Sequence, residues 1–154
     1  DHACAVFRGT DATLVGWKED FNMAFLPVIP SQADAADYVT KLGKNFPGKL
    51  LLMGHSKGGN LAAYAGMFCD PEIQKRIERV YPLDSPGFIG NTLESEEYGR
   101  IQSRVHKVIP KGSLIGMLLE NHGAYSVVES NQMGIMQHDP FSWQVTDGAF
   151  HTLE

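Results

Sequence analysis

A chain of 154 residues, 43% of them hydrophobic, can enclose a core and fits one domain over residues 1–154. Its net charge of -5 and pI near 5.6 exclude the basic footprint of a nucleic-acid binder. No run approaches the roughly 18 apolar residues of a membrane span, and nothing in the composition signals disorder.

Ala3–Phe7 predicts a buried strand, closed by Arg8-Gly9-Thr10. The chain opens at Asp1, close to that strand, which reads as a domain trimmed at its N-terminus. Leu14, Trp17, Phe21 and Phe25 recur at helical spacing before Pro27 and Pro30 break the pattern. Ser31 and Asp34 predict a capping box for a helix reaching about Phe46, with Ala35, Tyr38, Val39 and Leu42 inward. Pro47-Gly48 turns the chain into a strand over Lys49–Met53.

Small apolar residues from Asn60 to Cys69 predict a helix packed tightly on a sheet. Asp70-Pro71 starts a short helix to about Ile77, and Val80–Leu83 is a strand ending at Asp84-Ser85-Pro86-Gly87. A helix is expected over Leu93–Arg104, a strand over Val105–Ile109, an apolar helical turn or loop over Ser113–Glu120, and a strand over Tyr125–Val128. Asn131–His138 reads as a loop, and Asp139-Pro140 starts a helix through Trp143. Five strands alternating with helices predict an α/β fold of the α/β-hydrolase type. Its sheet is mostly parallel, with helices on both faces and the first strands lacking. Cys4 and Cys69 read as two buried free thiols, which points to a reducing, cytoplasmic setting.

The segment Gly54-His55-Ser56-Lys57-Gly58 carries the chemistry. A buried strand that ends in G-x-S-x-G and turns into a small-residue helix is the sequence form of a nucleophile elbow. The serine must sit on a strained turn, and the two glycines remove the side chains that would clash there. Ser56 is therefore the expected nucleophile. The backbone N–H of Lys57, at the helix start, is an expected oxyanion donor, and the Thr10 backbone N–H after the first strand is the second. The Lys57 side chain is expected to be solvated.

A nucleophilic serine needs a base, and in this fold the histidine follows the last strand. His138 meets that condition. His122 precedes the strand and is the weaker candidate. His151 is expected to be exposed, His55 to shape the turn, and His2 and His106 to lie at strand starts away from the site. The loop after Val105–Ile109, the usual place for the acid, reads Pro110-Lys111-Gly112-Ser113 and holds no carboxylate. Asp84 ends the preceding strand at the same sheet edge as Ser56 and is the expected acid, whereas Asp139 reads as a helix cap. Trp17 reads as core and Asp20 as an anchor for the oxyanion loop. No metal-binding spacing and no phosphate-binding glycine motif is present, so no cofactor is expected.

Phe7-Arg8-Gly9-Thr10, Trp17, Asp20 and the run Gly54 to Ala62 resemble the lipase class 3 group of α/β-hydrolases. Asp84 to Phe88, Ser113 to Leu118 and Gln137 to Trp143 look like an uncharacterised bacterial family of lipase-like hydrolases. The resemblance implies a cytoplasmic serine esterase or lipase acting on a small-molecule or lipid ester, with Ser56 as nucleophile and Thr10 and Lys57 at the oxyanion hole. That family carries an acidic residue near Gly112, which this chain lacks, and extends further at both ends. Missing leading strands imply an open sheet edge at which a second copy could pair. Two other readings stay open. One is a hydrolase-fold module that binds without turnover, and the other is an acyltransferase or thioesterase on the same elbow.

Overall fold

The structure, a computed structural model, describes residues 1–9, 28–119 and 122–153. Strands β1 (His2–Phe7), β2 (Lys49–His55), β3 (Ile77–Leu83), β4 (His106–Pro110) and β5 (Ala124–Val128) lie side by side in chain order, each parallel to the next. Because they run the same way, β1, β2, β3 and β4 end at one edge, where Phe7 pairs with Gly54, His55 with Leu83, and Leu83 with Val108. The sheet edge thus collects the Arg8-Gly9 turn, the Ser56 turn and Asp84.

Among the described residues the α-helices are α1 (Pro30–Asn45), α2 (Lys57–Phe68), α3 (Pro71–Gln74) and α4 (Glu96–Ile101). They share one core with the sheet, in which Val39, Leu50, Leu52, Ala62, Ala65, Val80 and Ile101 are fully buried. The small residues of α2 set the closeness of that packing. A Cβ added at Gly66 would lie 3.1 Å from both Ile101 and Val80, so helix and sheet already touch. A second, smaller cluster joins Val108, Val128 and Trp143, with Leu83 against it.

The alternating pattern located all five parallel strands, and the α/β sheet it implied is present. Other elements differ. The segment after Trp143 forms a hairpin of β6 (Val145–Thr146) and β7 (Ala149–Phe150), then β8 (Thr152–Leu153), which pairs antiparallel with β5 and makes the sheet six-stranded. Pairs this short carry too few residues for a periodic signal. The helix expected over Leu93–Arg104 is broken into a 3-10 turn, α4, and a second 3-10 turn, and the Pro140 helix is only a 3-10 turn. Ser31 does not cap α1. Pro30 is suited to the first helical position, so the cap falls on Ile29, whose N–H donates to Gln32 Oε1 at 3.0 Å. Asp70 does cap α3, accepting from Glu72 N–H at 2.9 Å. Both cysteines are free, but Cys4 is exposed rather than buried, and only Cys69 is enclosed, where burial pushes its thiol up to about 12. The helix expected over Leu14–Phe25 lies outside the described residues. Among those described, no helix is long and apolar enough to cross a membrane.

Leu52 is wholly buried in β2, under the helices and three residues before His55. Leu52→Ala should cost about 3 kcal/mol through lost burial and a residual cavity. Leu51→Ala, at a partly exposed neighbour on the opposite face of the strand, should cost less. Urea unfolding midpoints of the two variants test the difference.

Candidate active site

β2 delivers the chain to Ser56, which takes φ 56° and ψ -126°, a conformation that L residues avoid. The turn is held from both sides. Ser56 N–H donates to Leu83 O at 2.9 Å, and Ser56 O accepts from Gly59 N–H at 3.0 Å as α2 begins. Close approach explains the glycines. A Cβ at Gly54 would lie 2.3 Å from the Gly58 carbonyl group, and one at Gly58 would lie 2.1 Å from Phe7 O. A Cβ at Gly59 would lie 2.6 Å from the Ser85 Cβ, so the third glycine of the run lets α2 meet the turn after β3.

The turn after β1 abuts this elbow. A Cβ built on Gly9 would come 3.0 Å from His55 O and 3.9 Å from Ser56 Cβ. Thr10, expected as an oxyanion donor, lies outside the described residues, as do Trp17 and Asp20. Lys57 begins α2, where a backbone N–H has no intrahelical acceptor. Its side chain, expected in solvent, is instead buried, with the residue only 8% exposed. Its charge did not foretell that burial.

Asp84 follows β3 at φ 41°, and its N–H donates to Val108 O at 2.7 Å. Its side chain is 1% exposed and points beneath the loop after β4. Three donors meet it. Ser113 Oγ donates to Oδ1, Gly116 N–H donates to Oδ1 at 3.1 Å, and His138 Nδ1 donates to Oδ2 at 2.7 Å. A carboxylate oxygen only accepts, so Nδ1 carries the hydrogen and the neutral imidazole keeps its lone pair on Nε2. Gly116 must lack a side chain here, because a Cβ would lie 2.5 Å from Asp84 Oδ1.

His138 is half-buried, its side chain 26% exposed, at the end of a 3-10 turn over Gly134–His138. The residue before it is tied down twice. Gln137 Oε1 accepts from Gly112 N–H at 3.1 Å, and Gln137 O accepts from the Trp143 indole at 2.8 Å. His55, the residue before Ser56, donates from Nε2 to the His138 carbonyl at 2.7 Å, and the two rings lie 4.5 Å apart. The structure therefore joins Asp84 to His138 directly, and His138 to the elbow through His55. No hydrogen bond links the Ser56 hydroxyl to His138 here; such contacts are often long before substrate binds.

The other histidines are engaged elsewhere. His2 faces Glu78 at 2.7 Å, His106 faces the Ser126 hydroxyl at 2.7 Å, and His151 is exposed beside Thr146 and Glu129. His122 offers its carbonyl to the Tyr98 hydroxyl at 2.8 Å. Asp139 is a cap, accepting from Phe141 N–H at 3.0 Å. Ser113, Gly116 and the full part played by His55 escaped sequence reading. The S-x-x-G spacing from Ser113 to Gly116 is the signal that was available, because it puts a hydroxyl and an amide on one side of a tight turn. Among the described residues, no group of three His, Cys, Asp or Glu side chains could hold a metal ion.

A protein-family model described as Mbeg1-like matches the chain over residues 1–154. Comparison with curated proteins returns no match.

Burial, followed by the charge of the neighbouring His138, lowers the His55 pKa below 6.5, against the opposing pull of the His138 carbonyl. The unfolded chain therefore takes up this proton first as pH falls. The contribution is fully present above about pH 6.5 and is lost as pH drops through the lowered folded value. Stability measured by urea unfolding should fall more steeply from pH 7.5 to 5.5 in the native protein than in His55→Gln, whose amide can still donate to residue 138.

Proposed function

The chain belongs to the Mbeg1-like family, and from that premise and the site geometry we propose that it is a serine hydrolase cleaving carboxylic esters. In this mechanism Ser56 Oγ attacks the acyl carbon while His138 Nε2 takes its proton. Asp84 holds the imidazole by Nδ1 and stabilises the imidazolium that forms. The oxyanion of the tetrahedral intermediate lies at the start of α2, where the Lys57 N–H points, with the Thr10 amide as the second donor. The protonated His138 then gives its hydrogen to the leaving alcohol. Water, activated by the same nitrogen, attacks the acyl group on Ser56 and frees the acid.

The observation that carries this reading is the 2.7 Å bond from His138 to a buried carboxylate, made by a histidine whose carbonyl is held by the residue before Ser56. That arrangement fixes tautomer and ring plane and aims Nε2 away from the acid, as a general base requires. An apolar acyl group suits the surroundings, since Met136 and Phe141 flank His138 in the chain and are 62% and 94% exposed. Leu114 and Met117, beside the donors to Asp84, are exposed as well.

A fluorophosphonate probe should label the protein at one residue, and Ser56→Ala should abolish the labelling. Turnover of a p-nitrophenyl ester should fall on the order of 10³–10⁴-fold in His138→Ala and in Asp84→Asn, with KM little changed. Undiminished labelling of Ser56→Ala would refute the assignment.

A further inference from the structure

We infer that Lys107 is a positioning residue for the Asp84 carboxylate, acting through Gly116, an inference that rests on the hydrolase reading above. Lys107 belongs to β4, and its Nζ donates to Gly116 O at 2.6 Å. The N–H of Gly116 donates in turn to Asp84 Oδ1 at 3.1 Å and to Ser113 Oγ at 2.8 Å. One residue thus receives the lysine on its carbonyl and serves the carboxylate with its amide.

That residue has to be glycine, because Asp84 Oδ1 occupies the space a Cβ would take. Glycine is also the residue least able to hold its own backbone in place. Its two flanking peptides need an outside restraint if the amide is to stay on the carboxylate, and the Lys107 ammonium supplies one. A displacement of about 1 Å in such a donor is enough to cost roughly a hundredfold in rate when it misaligns a reacting group.

Packing does not account for an ammonium at this place. Burial pulls the Lys107 pKa down to about 8, with the Asp84 charge opposing the fall, so keeping the group protonated at neutral pH is unfavourable for the fold. Its side chain passes beside a cavity of about 150 Å³ that His122, Met117 and Tyr125 also line, so an uncharged chain of similar length fits there. Methionine in its place would remove the desolvation cost and would retain most of the apolar contact.

The test compares Lys107→Met and Lys107→Arg with the native protein in three measurements: melting temperature, steady-state kinetics on a p-nitrophenyl ester, and the downfield proton resonance of His138 Nδ1–H. In Lys107→Met the melting temperature should stay within a few degrees. Its kcat should fall about tenfold at unchanged KM, and the resonance should move upfield or broaden by exchange. Lys107→Arg, which keeps a charged donor, should recover part of both. A Met variant with native kcat and a native His138 resonance would overturn the proposal. So would a loss of kcat matched by a drop in melting temperature with the resonance unmoved, since that is the mark of a structural role alone. Should the Met variant not fold, a folded Lys107→Leu variant with native kcat and a native His138 resonance would equally overturn it. If the native protein neither labels with a fluorophosphonate nor turns over, the hydrolase reading falls, while the resonance comparison still decides whether Lys107 holds Asp84 in place.

Discussion

A single buried carboxylate organises this sheet edge. Taken out of water without partners, a group like Asp84 would cost several kcal/mol, more than most single contacts return. It is tolerated because three donors converge on it, two from the loop after β4 and one from the segment after β5. Those donors come 29, 32 and 54 residues later in the chain, so satisfying the acid fixes the positions of two distant loops at once. The left-handed backbone at Asp84 is part of the same arrangement, since it turns the side chain under the β4 loop as its N–H pairs with Val108 O. The His138 ring is oriented by its bond to Asp84 together with the tie from His55 to its carbonyl.

The elbow supplies the other half of the geometry, by steric means. Gly54, Gly58 and Gly59 are places where two backbones meet closer than any Cβ permits, and the strained φ of Ser56 is the result of that closeness. His55 couples the two halves. It is held in the strand on one side of the serine and bonded to the carbonyl of the histidine on the other. Asn60 adds a second tie, donating to Gly87 O at 2.8 Å and accepting from Gln32 Nε2 at 2.8 Å, so that it links α1, α2 and the segment after Asp84.

Periodicity and punctuation were enough to find the strands and the elbow, because both are local properties. Four apolar residues before Gly54 and small residues after Asn60 describe their own environment. The position of Asp84 at a strand end, and of His138 after the last parallel strand, followed from topology, and the structure brings those two side chains together. What was hidden is long-range or conditional. Lys57 is buried although its charge pointed to solvent. Ser113 and Gly116 look like an ordinary turn until the acid is known to reach beneath them. The pairing of β8 with β5 is decided by a few backbone bonds near the chain end, such as Glu129 N–H to His151 O at 2.9 Å, which no hydrophobic pattern records.

The loop after β4 carries no carboxylate, which taken alone weakens the case for an acid. The structure gives that loop the opposite electrostatic task. Leu83 and Val108 are paired, so the ends of β3 and β4 are adjacent, and an acid leaving β3 can reach the same imidazole that an acid leaving β4 would serve. Once Asp84 occupies that space, the β4 loop must present hydrogens to it, and Ser113 and Gly116 do so. A carboxylate at either position would set two acceptors against each other with no hydrogen between them, beside an Asp84 side chain that is only 1% exposed. The two placements of the acid therefore exclude one another, and the donors in the loop after β4 are the counterpart of the carboxylate at the end of β3.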